Sequence, residues 1–299
     1  MPKGLLIHLI ADQTTGAEMG YLDMKKFVLV FATLSAIPFL GVFAQQKGYS
    51  LFKPVPRAEL REMETDRPDI TETPITVDAG HVQYETAFLH YSKQYLENKR
   101  QDTYSLNQLN FNVGLTRSTA IQFKFDTYVI EDDRSIGSTQ KHTSQGIGDL
   151  TFRLKQNLLG NDGGNFAIAL LPYLKVPTAK YKEDNRAEAG VSVPMRIQLP
   201  AEWKLGTQLE VDRLQADGEH ALHTELLQSL SLSHELLKNL EGLAETYYTY
   251  GLKKREWNNF INAALQYEVN SNCKVDAGVN YGIQHQAERS FFFGLAYRL

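Results

Sequence analysis

The chain has 299 residues, 42% of them hydrophobic, a formal charge of −4 and a single cysteine, Cys273. That balance offers no overall basic surface for nucleic acid, and one cysteine excludes both a disulfide framework and a cysteine-rich zinc site. Length and apolar content suffice for a large core, so fold class has to come from the pattern along the chain.

Read from the N-terminus, Met24 is followed by Lys25 and Lys26, an apolar run from Phe27 to Leu40, and Val42-Phe43-Ala44 before Gln45. A basic start, an apolar stretch short for spanning and a small-residue end are the three regions of a secretory signal peptide. Residues 24–44 are therefore expected to be removed after Ala44, and residues 1–23 read as a mis-assigned upstream start. Gln45 stands where a lipoprotein anchor would need cysteine.

Residues 45–79 are rich in proline and charge, with prolines at 54, 56, 68 and 74 that rule out a regular helix or an interior strand. Two arrangements fit this irregular segment. It lies exposed in the periplasm as a lead-in, or it folds into a barrel as a plug whose Asp66, Arg67, Asp69 and Glu72 pair with charges on the wall.

From residue 80 to 299 about twelve stretches of about ten residues alternate apolar and polar side chains, the period of strands with one apolar and one polar face. Ile121, Phe123 and Phe125 oppose Gln122, Lys124 and Asp126, while Val191, Val193 and Met195 oppose Ser192 and Arg196. Ile261, Ala263 and Leu265 oppose Asn262 and Gln266, and Phe291, Phe293, Leu295 and Tyr297 share the outer face of the last stretch. Two stretches fit less well. Phe166 to Val176 is apolar on both faces, with Ala167 and Ala169 giving a slim inner side. Ala221 to Leu237 carries Leu222, Leu226, Leu227 and Leu230 at helical spacing, although Ser229, Ser231 and Ser233 alternate as in a strand.

The connections alternate in length: 92–103, 130–145 and 177–188 read as long loops, whereas 117–118, 160–164, 200–202 and 271–272 are short. Bacterial outer-membrane barrels place short turns in the periplasm and longer loops outside. In hydrocarbon every backbone polar group must be paired within the protein, so strands can span only as a closed ring. The fold class expected is all-β, an antiparallel up-and-down transmembrane β-barrel of about twelve strands over residues 80–299, behind a signal peptide and a Pro-rich lead-in.

Thr65-Asp66-Arg67-Pro68-Asp69, Gly146-Ile147-Gly148-Asp149-Leu150 and the run Ala169-Leu170-Leu171-Pro172-Tyr173-Leu174-Lys175-Val176-Pro177-Thr178 resemble, in order and spacing, the outer-membrane transporters grouped as the meta-pathway of phenol degradation family. The resemblance extends from Arg57 to Leu299. It implies an outer-membrane barrel associated with uptake of small, often aromatic, compounds, and brings no catalytic residues. Gly294, Tyr297 and terminal Leu299 also resemble the C-terminal signal by which the barrel-assembly machinery recognises its clients.

On this register the inward set includes Glu85, Lys124, Asp126, Asp149, Arg153, Lys155, Arg196, Glu210, Asp212, Glu268, Asp276 and Arg298. Both signs are present, so the interior can hold a paired charge network around a narrow passage, or be closed by it. A register slip of one residue would exchange the two faces.

An enzyme reading starts from His142-Thr143-Ser144-Gln145-Gly146, which resembles the His-x-Ser-Asn-Gly motif of outer-membrane phospholipase, with Asn157 as a candidate to orient the His. Gln145 and Thr139 depart from that pattern, and no catalytic residue is assigned. Gly146-x-Gly148 is too brief for a phosphate loop. His220 and His223 lack the further ligands a metal needs, so neither metal nor cofactor is expected. The function expected is passive or facilitated passage of small, hydrophobic or aromatic solutes across the outer membrane of a Gram-negative bacterium. Its partners would be outer-membrane lipid, the assembly machinery and the solute, with no nucleic acid. A phospholipase-like barrel and a closed structural or adhesive barrel are the alternatives.

Overall fold

The computed structural model describes residues 48–299 apart from 97, 138, 183–184 and 216–220. The expected signal peptide and upstream start lie outside the described residues. Thirteen strands follow one another: β1 (Val82–Leu96), β2 (Lys99–Gly114), β3 (Thr119–Ser135), β4 (Lys141–Gly146), β5 (Leu150–Leu159), β6 (Phe166–Val176), β7 (Glu188–Gln198), β8 (Lys204–Gln215), β9 (Leu222–Leu237), β10 (Leu240–Gly251), β11 (Glu256–Asn270), β12 (Cys273–Gly282) and β13 (Arg289–Arg298).

Each strand pairs antiparallel with its neighbour, and β13 returns to β1 through pairs running from Gln83↔Arg298 to Lys93↔Arg289. Both β4 and β5 pair with β3, at Val129–Arg134 and Thr119–Lys124 respectively, so the two form one stave interrupted at residues 147–149. The result is a closed barrel of twelve staves. At the interruption the Gly148 N–H donates to the Asp126 carbonyl at 2.9 Å. A Cβ on Gly148 would lie 2.8 Å from the Asp126 Cβ, which is why the motif needs glycine there.

The barrel is inverted relative to a water-soluble one. On β11, Ile261 and Leu265 are 53% and 49% exposed, whereas the intervening Asn262 and Gln266 are 5% and 8% exposed. The same contrast decides the ambiguous stretch before residue 238. Ser229 is 1% and Leu230 49% exposed, so β9 is a strand with Leu226, Leu230 and Leu232 facing outward, while Leu227 lines the interior, and the helical spacing of Leu222, Leu226 and Leu230 is incidental. On β6 the small inner side consists of Ala167, Ala169 and also Leu171. No described helix is long and apolar enough to cross a membrane, a statement that does not bear on strands.

The connection at 177–188 runs from β6 to β7 as expected, whereas the other two long connections differ from the expectation. Most of 92–103 belongs to β1 and β2, which stay paired out to Leu96↔Lys99, and β3 runs on to Ser135, pairing with Lys99–Gly114 and with β4. Polar residues such as Lys93, Gln101, Asp102 and Asp133 make these stretches read as loops, because hydropathy does not alternate where both faces carry polar side chains, although Ser92, Asp102 and Asp132 are buried. The ladder nevertheless continues, since its hydrogen bonds do not depend on what the side chains touch.

Candidate functional site: the barrel interior

The chain from Glu64 to Asp78 runs through the inside, contains no strand, and bonds to nearly the whole wall around it. Against β1, the Asp66 N–H donates to both Glu85 carboxylate oxygens, at 3.1 and 3.3 Å. Against β2, β3 and β5, the Asp66 carboxylate accepts from Asn110, from Gln122 at 2.8 Å and from the Lys155 ammonium. Glu72 pairs with Lys124 at 3.1 Å and with the Arg153 guanidinium. Across the lumen, the Ile70 and Thr71 N–H groups donate to the Glu245 carboxylate of β10 at 3.0 and 2.8 Å, and the Glu72 N–H donates to Gln208 of β8. Arg67 closes the ring by pairing with Asp276 of β12 at 2.6 Å and lying over the Phe292 ring of β13. Prolines 68 and 74 keep this stretch extended and remove donors that a helix would have needed.

Ion pairs this enclosed are strongly directional, because removing one partner strands the other charge in a poorly hydrated interior. Their electrostatics divide the segment. Burial pushes the Glu72 carboxyl up, but Arg153, Lys124 and Lys155 together outweigh it and hold the group below the usual carboxylate range. Glu64 behaves likewise: burial opposes ionisation, and Arg196, Lys204 and Lys274 overcome it. Asp66 is pushed up by burial and by the Glu72 charge, against the pull of Lys155. Asp69 is raised well above the usual range by burial and then by Glu245, with Glu241 adding to it and only its own backbone and Ser231 opposing.

The twelve residues assigned inward by alternation separate into groups. Glu85, Lys124, Arg153, Lys155 and Asp276 grip the segment as described. Arg196 pairs with Glu64, and Arg298 donates to the Arg61 carbonyl at 2.8 Å and lies 3.7 Å from Asp78. Asp126, Asp149 and Glu210 make no bond to the segment and instead line a cavity of about 590 Å³ on its long-hairpin side. Asp212 accepts the Tyr173 hydroxyl at 2.6 Å. Glu268 lies apart, in a cavity of about 370 Å³ at the short-turn end with Glu62, Lys204, Glu241 and Lys274.

Between these two chambers lies a space of about 70 Å³ bounded by the segment, Gly206, Ser231 and Ser233. On the opposite side, toward β1, β2, β3 and β5, only about 10 Å³ is left between segment and wall. Sequence reasoning missed Glu245, which anchors two backbone N–H groups of the segment. Its stretch places Glu241, Leu243, Glu245 and Tyr247 inside and Gly242, Ala244 and Thr246 outside, so polar and apolar residues do not alternate there. A period-two reading that ignored hydropathy would have found it.

The residues of the phospholipase-like motif do not assemble. The Ser144 hydroxyl lies 3.4 Å from His142 Nε2 on the exposed strand β4. Asn157 sits near the far end of the same stave, on β5, donating to the Pro74 carbonyl at 2.9 Å. His142 pairs with Asp133 on β3 and Gln156, next to Asn157, with Thr119, which places the two some fourteen residues apart, roughly 45 Å at strand rise. No described group of His, Cys, Asp and Glu has the arrangement of a metal site.

The sequence profile of the family described as "Putative MetA-pathway of phenol degradation" matches residues 65–299. The chain belongs to this family. Its match begins within the lumenal segment and covers every stave, so segment and barrel are one family unit. No curated protein matches the chain by sequence. Among solved structures, an outer membrane channel from Pseudomonas putida F1 is similar with a TM-score of 0.55 and 12% identity, over 79% of this chain and 99% of that one. The β domain of the Bordetella autotransporter BrkA is similar at TM-score 0.46 and 14% identity, over 73% and 98%. The NanC porin is similar at TM-score 0.45 and 10% identity, over 72% and 100%. At these identities the first likeness concerns the fold alone.

Proposed function

We propose that this family member is an outer-membrane channel of a Gram-negative bacterium that lets small solutes cross passively or by facilitated diffusion, with residues 64–78 acting as a fixed plug. On this reading the Pro-rich lead-in follows a signal peptide cleaved after Ala44, the assembly machinery inserts the barrel, and its leucine- and phenylalanine-rich outer face meets lipid. The observation that carries the reading is the pair of chambers, about 590 and 370 Å³, separated by one strap of chain rather than by a packed core. Tyr173, Tyr181, Tyr247 and Phe292 line the larger chamber among its charges, which supports small hydrophobic or aromatic solutes as its occupants. A molecule larger than a few waters passes the strap only if the stretch at Pro68–Ile70 moves.

The protein is not read as an enzyme: Ser144 and His142 lie on the exposed strand β4, and Asn157 is held by the Pro74 carbonyl at the far end of the stave. Purified mature protein reconstituted in planar bilayers is expected to give stepwise conductance, reduced by phenol or benzoate on one side, and to leave phospholipid intact. The enclosed ion pairs favour one second reading, a closed structural barrel, and a silent bilayer containing folded protein would establish it.

A further inference from the structure

The strap is sealed against one wall and stands off from the other. Following the inward positions of β8, Glu210 and Gln208 line the large chamber, Gly206 lines the small space and Lys204 lines both that space and the short-turn chamber. On β10 and its neighbours the same descent is made by Tyr247, then Leu243, then Glu241. The upper chamber and the small space share Arg67, Pro68, Asp69 and Glu72, and the small space and the lower chamber share Lys204, Glu241, Gln266 and Lys274. The three spaces therefore lie end to end along the β8–β10 wall, past Asp69. Wall residues here are small: Gly206, Ser231 and Ser233 leave the room that Gln122, Asn112 and Lys155 fill on the other side.

We infer that this route is an ion-conducting neck and that Asp69, facing it from the strap, sets its preference for cations over anions. The inference rests on the channel reading and adds its route and charge selectivity. Charges bordering the neck cancel in pairs, Glu64 with Arg196, Arg67 with Asp276, Glu72 with Arg153, and Lys204 with Glu241 at 3.0 Å. Among the described residues lining the neck, Lys274 is the remaining cation, at the lower end, where Glu268 is its register partner across β11 and β12. Asp69 and Glu245 differ, since neither carboxylate lies within ion-pair distance of a described cation. Glu245 is occupied by the Ile70 and Thr71 N–H groups and the Thr71 hydroxyl, which leaves Asp69 as the carboxylate facing the route. A space of about 70 Å³ holds a few waters, so a passing ion keeps little of its hydration and responds strongly to the Asp69 carboxylate when that group is ionised.

The test is the reversal potential of the folded, mature chain in planar bilayers under a potassium chloride gradient. Wild type is expected to favour potassium, Asp69→Asn to lower that preference about fivefold, and Asp69→Lys to reverse it. In a Cys273→Ser background, Asp69→Cys should regain the preference after reaction with a sulfonate-bearing methanethiosulfonate and lose it with the trimethylammonium analogue. Gly206→Leu, whose Cβ alone would sit 2.4 Å from Ser231 Oγ and 3.1 Å from Thr71 Cγ2, should reduce unit conductance without disturbing the ring of ion pairs. Conducting channels whose selectivity ignores every change at Asp69 would overturn the neck and leave the channel reading standing. Absence of conductance from folded wild type would overturn both.

Discussion

The two sides of the interior use the same strap of chain for opposite ends. Toward β2, β3 and β5 its carboxylates meet Lys124, Arg153 and Lys155, with amides filling the gaps, and almost no space remains. Toward β8–β10 the strap offers backbone N–H groups and one carboxylate without a cation to a wall of Gly206, Ser229 and Ser231, and a gap of about 70 Å³ persists. The first side is held by charge pairs that are costly to break. The second is held by hydrogen bonds between neutral donors and a single wall carboxylate, which can be loosened without stranding a charge. On the channel reading, fixing and passage thus fall to different walls of one barrel.

That contrast can be broken most forcefully at Lys155, which is 2% exposed. Lys155→Ala leaves Asp66 without its cation and is expected to cost about 3–5 kcal/mol, read as a lower temperature for loss of the heat-modifiable folded band on gels. The double variant Asp66→Asn with Lys155→Met should recover most of that loss, because no charge is then stranded. Next in size is the outer face. Ile261→Arg, at a 53% exposed position in the middle of β11, should cost about 2–4 kcal/mol if that face meets hydrocarbon, and very little if it meets water.

Glu245→Ala comes third. It leaves the Ile70 and Thr71 N–H groups without their acceptor, at about 1–3 kcal/mol, and should make single-channel currents noisier as the strap gains freedom beside the gap. Smallest, and opposite in sign, is Asp69→Asn. The raised Asp69 pKa means that the stability this group contributes is full below its unfolded value of about 3.9, and is lost as pH rises from there through the folded value. The asparagine variant should therefore be slightly more stable than wild type at neutral pH and equal to it in acid, by the same gel assay. A flat difference across pH would show that Asp69 is solvated rather than enclosed.

Much of this was legible along the chain. The inward and outward faces of β3, β7, β8 and β11 follow from alternation alone, whereas Lys204, Glu241, Glu245 and Lys274 also line the interior and lie outside the set that alternation picks out. Residue 245 was lost because its neighbours Gly242 and Ala244 are too small to mark an outer face. The far ends of the β1–β2 and β3–β4 hairpins, within 92–103 and 130–145, read as loops because their polar residues carry no alternation. Asp69 looks equivalent to Asp66, three residues earlier, and only the wall opposite each of them gives one a cation and the other the Ser231 hydroxyl.

Sequence by itself determined the period of two, the apolar outer face and hence the closed ring, since backbone geometry sends successive side chains to opposite faces whatever surrounds them. Tertiary structure alone decided where the Pro-rich chain goes and which charges meet. Arg67 and Asp276 are 209 residues apart in sequence and become neighbours only when the barrel closes, and a segment of that composition is equally at ease in water until a wall of complementary charge encloses it.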